Sequence, residues 1–198
     1  MKACLGTKCS GYSASDNGWR NLTAPVGVTA SDGSYADKVQ VSWTAVPGAT
    51  SYQVYRATSA AGAKTGPARA TSPTINDTTA TTLVTYYYFV KACRDAICID
   101  FSSYDAGWRN LAAPMNIQAS DGTYPDKVRI TWNAVAGATY YQVYRAILAG
   151  GTKMLMGSPT GTEAGDTLAA PGVTYYYWVR ACKGTTCSDF SLYDSGYR

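Results

Sequence analysis

The sequence predicts an all-β fold built as two tandem β-sandwich modules, and three observations carry that expectation. The first is a repeat. Cys4/Cys9, Cys93/Cys98 and Cys182/Cys187 recur as Cys-x4-Cys pairs at one constant step along the chain, and their surroundings recur with them. Trp19-Arg20-Asn21-Leu22 returns as Trp108-Arg109-Asn110-Leu111, and Tyr52-Gln53-Val54-Tyr55-Arg56-Ala57 returns as Tyr141-Gln142-Val143-Tyr144-Arg145-Ala146. The second is composition. The 198 residues include 17 Tyr but a single Glu (Glu163), so strand formers are plentiful and helix formers are sparse. The third is alternation: apolar and polar residues alternate in Val39-Gln40-Val41-Ser42-Trp43 and again in Val128-Arg129-Ile130-Thr131-Trp132.

The elements follow in order within each copy. The alternating strand ends in a turn at Pro47-Gly48-Ala49 or Ala136-Gly137-Ala138. A third strand comes next, Tyr52–Tyr55 or Tyr141–Tyr144, then a Gly/Ala/Thr-rich connection at 60–66 or 149–153. The strongest strand signal is late: Tyr86–Ala92 and Tyr175–Ala181. The cysteine loop follows it, and a last strand is expected at Phe101–Trp108 and Phe190–Tyr197. Six or seven short strands per copy indicate a β-sandwich. The domain reading is a partial module over 1–22, module 1 over 23–110 and module 2 over 111–198, joined by very short linkers that limit hinge freedom.

The residues then reach a family. Each module resembles a fibronectin type III domain, an immunoglobulin-like sandwich, through its early Pro25 or Pro114 and through Trp43 or Trp132 closing the second strand. The Tyr-x-Val-Tyr-Arg third strand and the late Tyr-x-Tyr-x-Val-x-Ala strand add to this. Pro171-Gly172-Val173-Thr174-Tyr175 looks like the family's tyrosine corner, whereas Thr82-Leu83-Val84-Thr85-Tyr86 lacks the Pro-Gly pair. The resemblance implies a modular extracellular protein. The cysteine loop is not a general feature of that family.

For the cysteines, each module offers two thiols and no His, short of the four ligands of a structural zinc site. The spacing also differs from Cys-x-x-Cys redox sites. A disulfide across a hairpin loop is the expected state, with a stabilisation of about 2 kcal/mol for so small a loop. Disulfides in every repeat point to an oxidising, secreted or cell-surface setting. The start, Met1-Lys2-Ala3-Cys4, carries no apolar signal-peptide region.

Strand alternation also assigns faces. With Tyr86 and Tyr175 inward, Tyr88, Val90, Tyr177 and Val179 join them in the core. The opposite face then carries Tyr55, Tyr87 and Phe89 in module 1, and Tyr144, Tyr176 and Trp178 in module 2. This stripe reads as cross-strand packing, or as a contact surface for other protein chains or for glycan. The loops Ser31–Asp37 and Ser120–Asp126 hold two acids beside a Gly turn, and their composition favours a turn over a calcium site. Asn21 and Asn76 head N-glycosylation motifs.

Enzyme chemistry finds no footing. There is no His for a triad, no phosphate loop, and no carboxylate pair with a reason to share a cleft. No metal or cofactor is expected. The net charge of +4 is scattered, so nucleic acid is not an expected partner, and no apolar run is long enough for membrane insertion. The expected function is a non-enzymatic structural or adhesive array, a spacer or fibre component that meets neighbouring modules or copies of itself. The alternative is a carbohydrate-binding accessory region of a larger secreted enzyme. Residues 2–20 match 91–109 and 180–198, so they form a hairpin and last strand without their own module. That segment reads as an excerpt of a longer array before it reads as a donated strand.

Overall fold

The computed structural model describes residues 1–14 and 22–198. It begins with a small hairpin, β1 (Cys4–Leu5) and β2 (Lys8–Cys9). Module 1 contributes β3 (Thr29–Ala30), β4 (Val39–Ser42), β5 (Ser51–Ala57), β6 (Thr65–Ala70), β7 (Thr74–Asp77), β8 (Tyr86–Arg94), β9 (Ile97–Cys98) and β10 (Asp105–Gly107). Module 2 repeats them as β11 (Gln118–Ala119), β12 (Val128–Thr131), β13 (Tyr140–Ala146), β14 (Met154–Gly157), β15 (Glu163–Asp166), β16 (Tyr175–Lys183), β17 (Thr186–Cys187) and β18 (Asp194–Gly196).

In each module a three-stranded sheet packs against a larger one. The small sheets run β3-β4-β7 and β11-β12-β15. The larger sheets run β10-β8-β5-β6 and β14-β13-β16-β18, with β9 and β17 completing the cysteine hairpins on β8 and β16. All strand pairs are antiparallel, and the long β5–β8 and β13–β16 ladders form the backbone of each module.

The cores follow the alternation in the sequence. Val39, Val41, Trp43, Tyr52, Val54, Tyr88 and Val90 are buried together in module 1. Val128, Ile130, Trp132, Tyr141, Val143, Tyr177 and Val179 do the same in module 2. Tyr86 and Tyr175 pack half-buried against these clusters, on the inward face expected for them.

The last strand departs from expectation. A continuous strand over Phe101–Trp108 is not formed; only Asp105–Gly107 pairs with β8, and in module 2 only Asp194–Gly196 pairs with β16. Between the cysteine hairpin and this short strand two residues keep the chain attached: Ile99 or Ser188, whose N–H donates to the Ala92 or Ala181 carbonyl, and then a serine. The Ser102 N–H donates to the Val90 carbonyl at 2.8 Å, and the Ser102 hydroxyl accepts from the Val90 N–H at 2.9 Å. Ser191 does the same to Val179. The residues around that anchor leave the ladder and cross the outer face of the sheet.

At the end of the short strand the chain passes close to the other sheet. A Cβ on Gly107 would lie 2.7 Å from Ala30 Cβ and 2.9 Å from the Ser31 carbonyl, and one on Gly196 would meet Ala119 and Ser120 as closely. Only glycine fits there. Trp108 and Tyr197 then bridge to Asp32 and Asp121, so the Ser-Asp-Gly loops are held by the chain's own last strand. Asp105 and Asp194 add to this join by accepting from the Ala30 and Ala119 N–H groups at 2.8 Å.

The three cysteine pairs are disulfides, each joining directly paired hairpin residues with Cα atoms 4.0–4.1 Å apart. Cys93 and Cys182 are also fully buried members of their modules. The β1–β2 hairpin keeps the same form, with the Ser13 N–H donating to the Met1 carbonyl at 2.8 Å, but all of residues 1–14 are exposed. The last strand expected at the end of the partial module, and Asn21 with it, lie outside the described residues.

Candidate functional site

The six aromatic residues proposed as a contact surface all lie on the outer face of the larger sheets, but they are not a free platform. Phe89 is 5% exposed and Trp178 is 4% exposed, so neither is a surface residue. Tyr55, Tyr87, Tyr144 and Tyr176 are half-buried. The cause is the irregular segment that leaves the last strand. Phe101 packs edge-on to Tyr55 at 5.1 Å, and Tyr104 covers Tyr87 and Phe89 at 5.3 and 5.6 Å. In module 2, Phe190 covers Tyr144 at 5.0 Å, and Tyr193 covers Tyr176 and Trp178 at 5.3 and 5.7 Å.

Cations finish the cover. Lys64 sits 4.2 Å above the Phe89 ring, and Lys153 sits 4.5 Å above Trp178. Lys91 and Arg180 lie over Phe101 and Phe190. The outer face is thus a second, smaller aromatic core under a lid of Lys and Arg, whose stems shield the rings while their charges stay in water. What it shows to solvent is Tyr104, Phe190 and Tyr193, three residues absent from the contact surface expected from the strands. Their signal in the sequence is their fixed distance after the second cysteine of each pair.

A second feature was not expected. In each module a Tyr and an Arg meet one Asp beneath the open edge of the sandwich. Arg145 Nη1 donates to both Asp166 oxygens at 2.8 and 2.7 Å, and the Tyr177 hydroxyl donates to Oδ2 at 3.0 Å. Asp166 is 3% exposed. Module 1 repeats the arrangement with Arg56, Asp77 and Tyr88, and Thr79 donates to Asp77 from both its N–H and its hydroxyl. Each guanidinium also lies over a corner tyrosine, Tyr86 or Tyr175. Burial, reinforced by the adjacent carboxylate, pushes the Tyr88 and Tyr177 hydroxyls well above the ordinary phenol range, so both remain donors.

Burial alone would raise the Asp77 pKa, but hydrogen bonds from Thr79, Arg56 and Tyr88 outweigh it and hold the carboxyl below its usual value. The consequence for stability has a definite sign. A depressed folded pKa adds stability that is present above the unfolded value, near 3.9, and is lost as pH falls through the folded one. The melting temperature of module 1 is therefore expected to drop as the pH is lowered below about 4. Asp77→Asn should flatten that drop, which thermal melts across the acid range will read.

A cleft of about 350 Å³ opens over this network in module 1, lined by Val54, Arg56, Ile75, Asp77, Thr79 and Tyr88 among others. Asn76 lies exposed at its edge. Among the described residues, no three His, Cys, Asp or Glu side chains converge to hold a metal ion.

The modules meet at a defined junction. Leu111, in the linker, is 2% exposed within the module 2 core, and Leu83 reaches across from the module 1 corner to pack against the same cluster. The Leu111 N–H donates to Asn110 Oδ1 at 2.8 Å, and Asn110 Nδ2 donates to the Cys187 carbonyl at 3.4 Å. The cysteine hairpin of module 2 therefore faces the end of module 1. Both corner turns have one shape although module 1 lacks Pro-Gly: Leu83 takes φ 58° where Gly172 takes φ 72°, and their N–H groups donate to Arg109 and Arg198. The corner tyrosines then differ. Tyr175 Oη accepts from the Ala170 N–H at 3.3 Å, whereas Tyr86 Oη donates to the Thr81 hydroxyl at 3.2 Å.

This architecture of paired three- and five-stranded sheets over residues 22–198 has a clear likeness among solved structures. A two-domain fibronectin type III segment from chicken tenascin aligns with TM-score 0.60 over 87% of this chain and 98% of its own, at 17% identity. The chain folds as two fibronectin type III domains in tandem. At that identity the likeness speaks to fold alone. An Fn3-like protein from Clostridium thermocellum is 30% identical over 44% of this chain and 94% of its own, with TM-score 0.42. No family model and no curated protein matches the sequence. The three disulfides agree with an oxidising environment.

Proposed function

We propose that this chain is a non-enzymatic structural array of the cell exterior, a stiff spacer or fibre segment. The junction between its two fibronectin type III modules is the observation that carries the reading. A leucine held at positive φ costs about 1–2 kcal/mol relative to its relaxed conformation. Leu83 occupies such a position where the repeat has Gly172, and it lies against the core cluster of the next module. The strain is offset by contact between modules, which is what a spacer of fixed direction requires and a flexible tether does not.

Small-angle X-ray scattering of the chain tests this. The expected result is one elongated particle with a narrow distribution of module orientations; scattering from two freely hinged modules would remove the spacer reading. Leu83→Gly supplies the matching prediction. It should relieve the corner of module 1, lower the stability of module 2 by about 1 kcal/mol through lost apolar contact, and widen the distribution of orientations. The alternative role in carbohydrate binding has less support, because Lys64 and Lys153 lie over the ring faces on which a sugar would stack.

A further inference from the structure

The two modules part on the solvent side of their small sheets, and the difference surrounds one asparagine. The outer face of β3-β4-β7 carries Thr29, Gln40, Ser42, Thr74 and Asn76, none of them charged. The same positions of module 2 hold Gln118, Arg129, Thr131, Glu163 and Gly165, and Arg129 is ion-paired to Glu163 at 2.5 Å. Asn76 therefore has a glycine as its counterpart, so the fold does not require its side chain. β7 and β15 are the terminal strands of these sheets, and such edges are guarded against pairing by charge, proline or a bulge. Both strands turn an Asp inward, but only β15 also shows a charge to solvent.

The run Asn76-Asp77-Thr78 is displayed in one way only. Asp77 turns inward to meet Arg56 and Tyr88, so alternation turns Asn76 outward, and both Asn76 and Thr78 are exposed. Among the described residues, neither the Asn76 carboxamide nor the Thr78 hydroxyl is engaged in a hydrogen bond. Asn110 is a contrast, because it accepts from the Leu111 N–H and donates to the Cys187 carbonyl at the module junction. Across the ladder Asn76 faces Gln40, an exposed and neutral neighbour.

We propose that Asn76 carries an N-linked glycan. The acceptor pattern is met, with Asp and not Pro in the middle position. In the transfer, the carboxamide nitrogen of Asn76 bonds to the anomeric carbon of an oligosaccharide carried on a polyprenyl pyrophosphate. The bond from that carbon to the pyrophosphate oxygen breaks, and the nitrogen gives up one proton. The proposal rests on the cell-exterior reading, since the donor belongs to a secretory route in which disulfides also form. The folded module tolerates the product: a bulky hydrophilic group here breaks no side-chain hydrogen bond and meets no charge on its own face. It gives the β7 edge the guard that Arg129 and Glu163 give module 2. It also stands at the rim of the cleft over Arg56, Asp77 and Tyr88. Asn21-Leu22-Thr23 fits the same pattern, but Asn21 lies outside the described residues, and its counterpart Asn110 is occupied in the junction.

Mass spectrometry of the full chain secreted by a eukaryotic cell line is the experiment, before and after an amidase that removes N-linked glycans and converts the carrier asparagine to aspartate. The expected result is a glycan on the peptide that contains Asn76, lost on digestion with conversion at position 76. Asn76→Gln and Thr78→Ala should each abolish that glycan, and Thr78→Ser should keep it, because the pattern needs the hydroxyl. After digestion of all samples, the variants should melt within a few degrees of the parent chain, as expected for exposed positions. A chain secreted with its disulfides closed and Asn76 bare overturns the site and leaves the exterior reading standing. A glycan at Asn21 alone does the same, and so does a glycan at Asn76 that survives Thr78→Ala. A chain retained in the cell with free thiols and no glycan overturns both.

Discussion

Asp166→Ala is expected to destabilise module 2 by about 3–5 kcal/mol, the cost of removing one partner from a buried ion pair. The carboxylate is 3% exposed and takes three side-chain hydrogen bonds, two from Arg145 and one from Tyr177, with a fourth from the Leu168 N–H at 3.1 Å. Its loss leaves a guanidinium and a phenol without their acceptor under the edge of the sandwich. For a domain of this size each kcal/mol moves the melting temperature by roughly 4–8 °C, so a fall of at least 12 °C in the module 2 transition is the expected reading. Asp77→Ala should cost module 1 less, because Asp77 is 15% exposed and borders an open cleft through which water can reach the stranded groups. A double variant of module 2, Arg145→Met with Asp166→Leu, should recover much of the loss, since the charge and its acceptor leave together. Equal losses in the single and double variants would show that shape, and not the unpaired charge, sets the cost.

Trp178→Ala is expected to cost about 3–5 kcal/mol, the usual penalty for emptying a buried aromatic site. The residue lies on the face of β16 that points away from the main core, a position that reads from the strand alone as surface. Yet Tyr193 lies across it at 5.7 Å, Lys153 caps it at 4.5 Å, and Tyr144 stands opposite it in the ladder. Removing the indole opens a void between two layers and deprives Lys153 of the nearer of its two rings, leaving it Phe190 at 5.3 Å, a loss of about 0.5–1 kcal/mol in itself. Tyr193→Ala, at a residue 52% exposed, should cost distinctly less. Chemical denaturation of the three proteins separates the outcomes. A Trp178→Ala loss below about 1 kcal/mol would mean that the lid is open in solution and the indole is available to a partner.

The core was legible because its signal is local. Period-two alternation in Val39–Ser42 and Tyr86–Arg94 determines which side chains share a face, and the sheet has only two faces to offer. Repetition of the pattern made the same assignment twice. The candidate surface failed at Phe89 and Trp178 for the complementary reason. Whether an outward face meets water depends on what a distant segment does, and no periodicity in β8 or β16 records the path of Phe101 or Phe190. The Arg–Asp–Tyr networks were hidden for the same reason, because their members sit on three strands separated by loops.

By itself the sequence determined the all-β class, the two-fold repetition, the inward tyrosines and the pairing of cysteines within hairpins, all of which depend on residue spacing along one strand or one short turn. The tertiary structure alone decided that the last strand breaks around Ser102 and Ser191, that its aromatic residues and two lysines seal the outer face, and that Leu83 joins one module to the next. It also decided that β14 lies at the edge of its sheet. These outcomes are set by where separate segments meet in space, and the free energy that selects them comes from burial and partner satisfaction across the whole sandwich, not from the preference of any one stretch of chain.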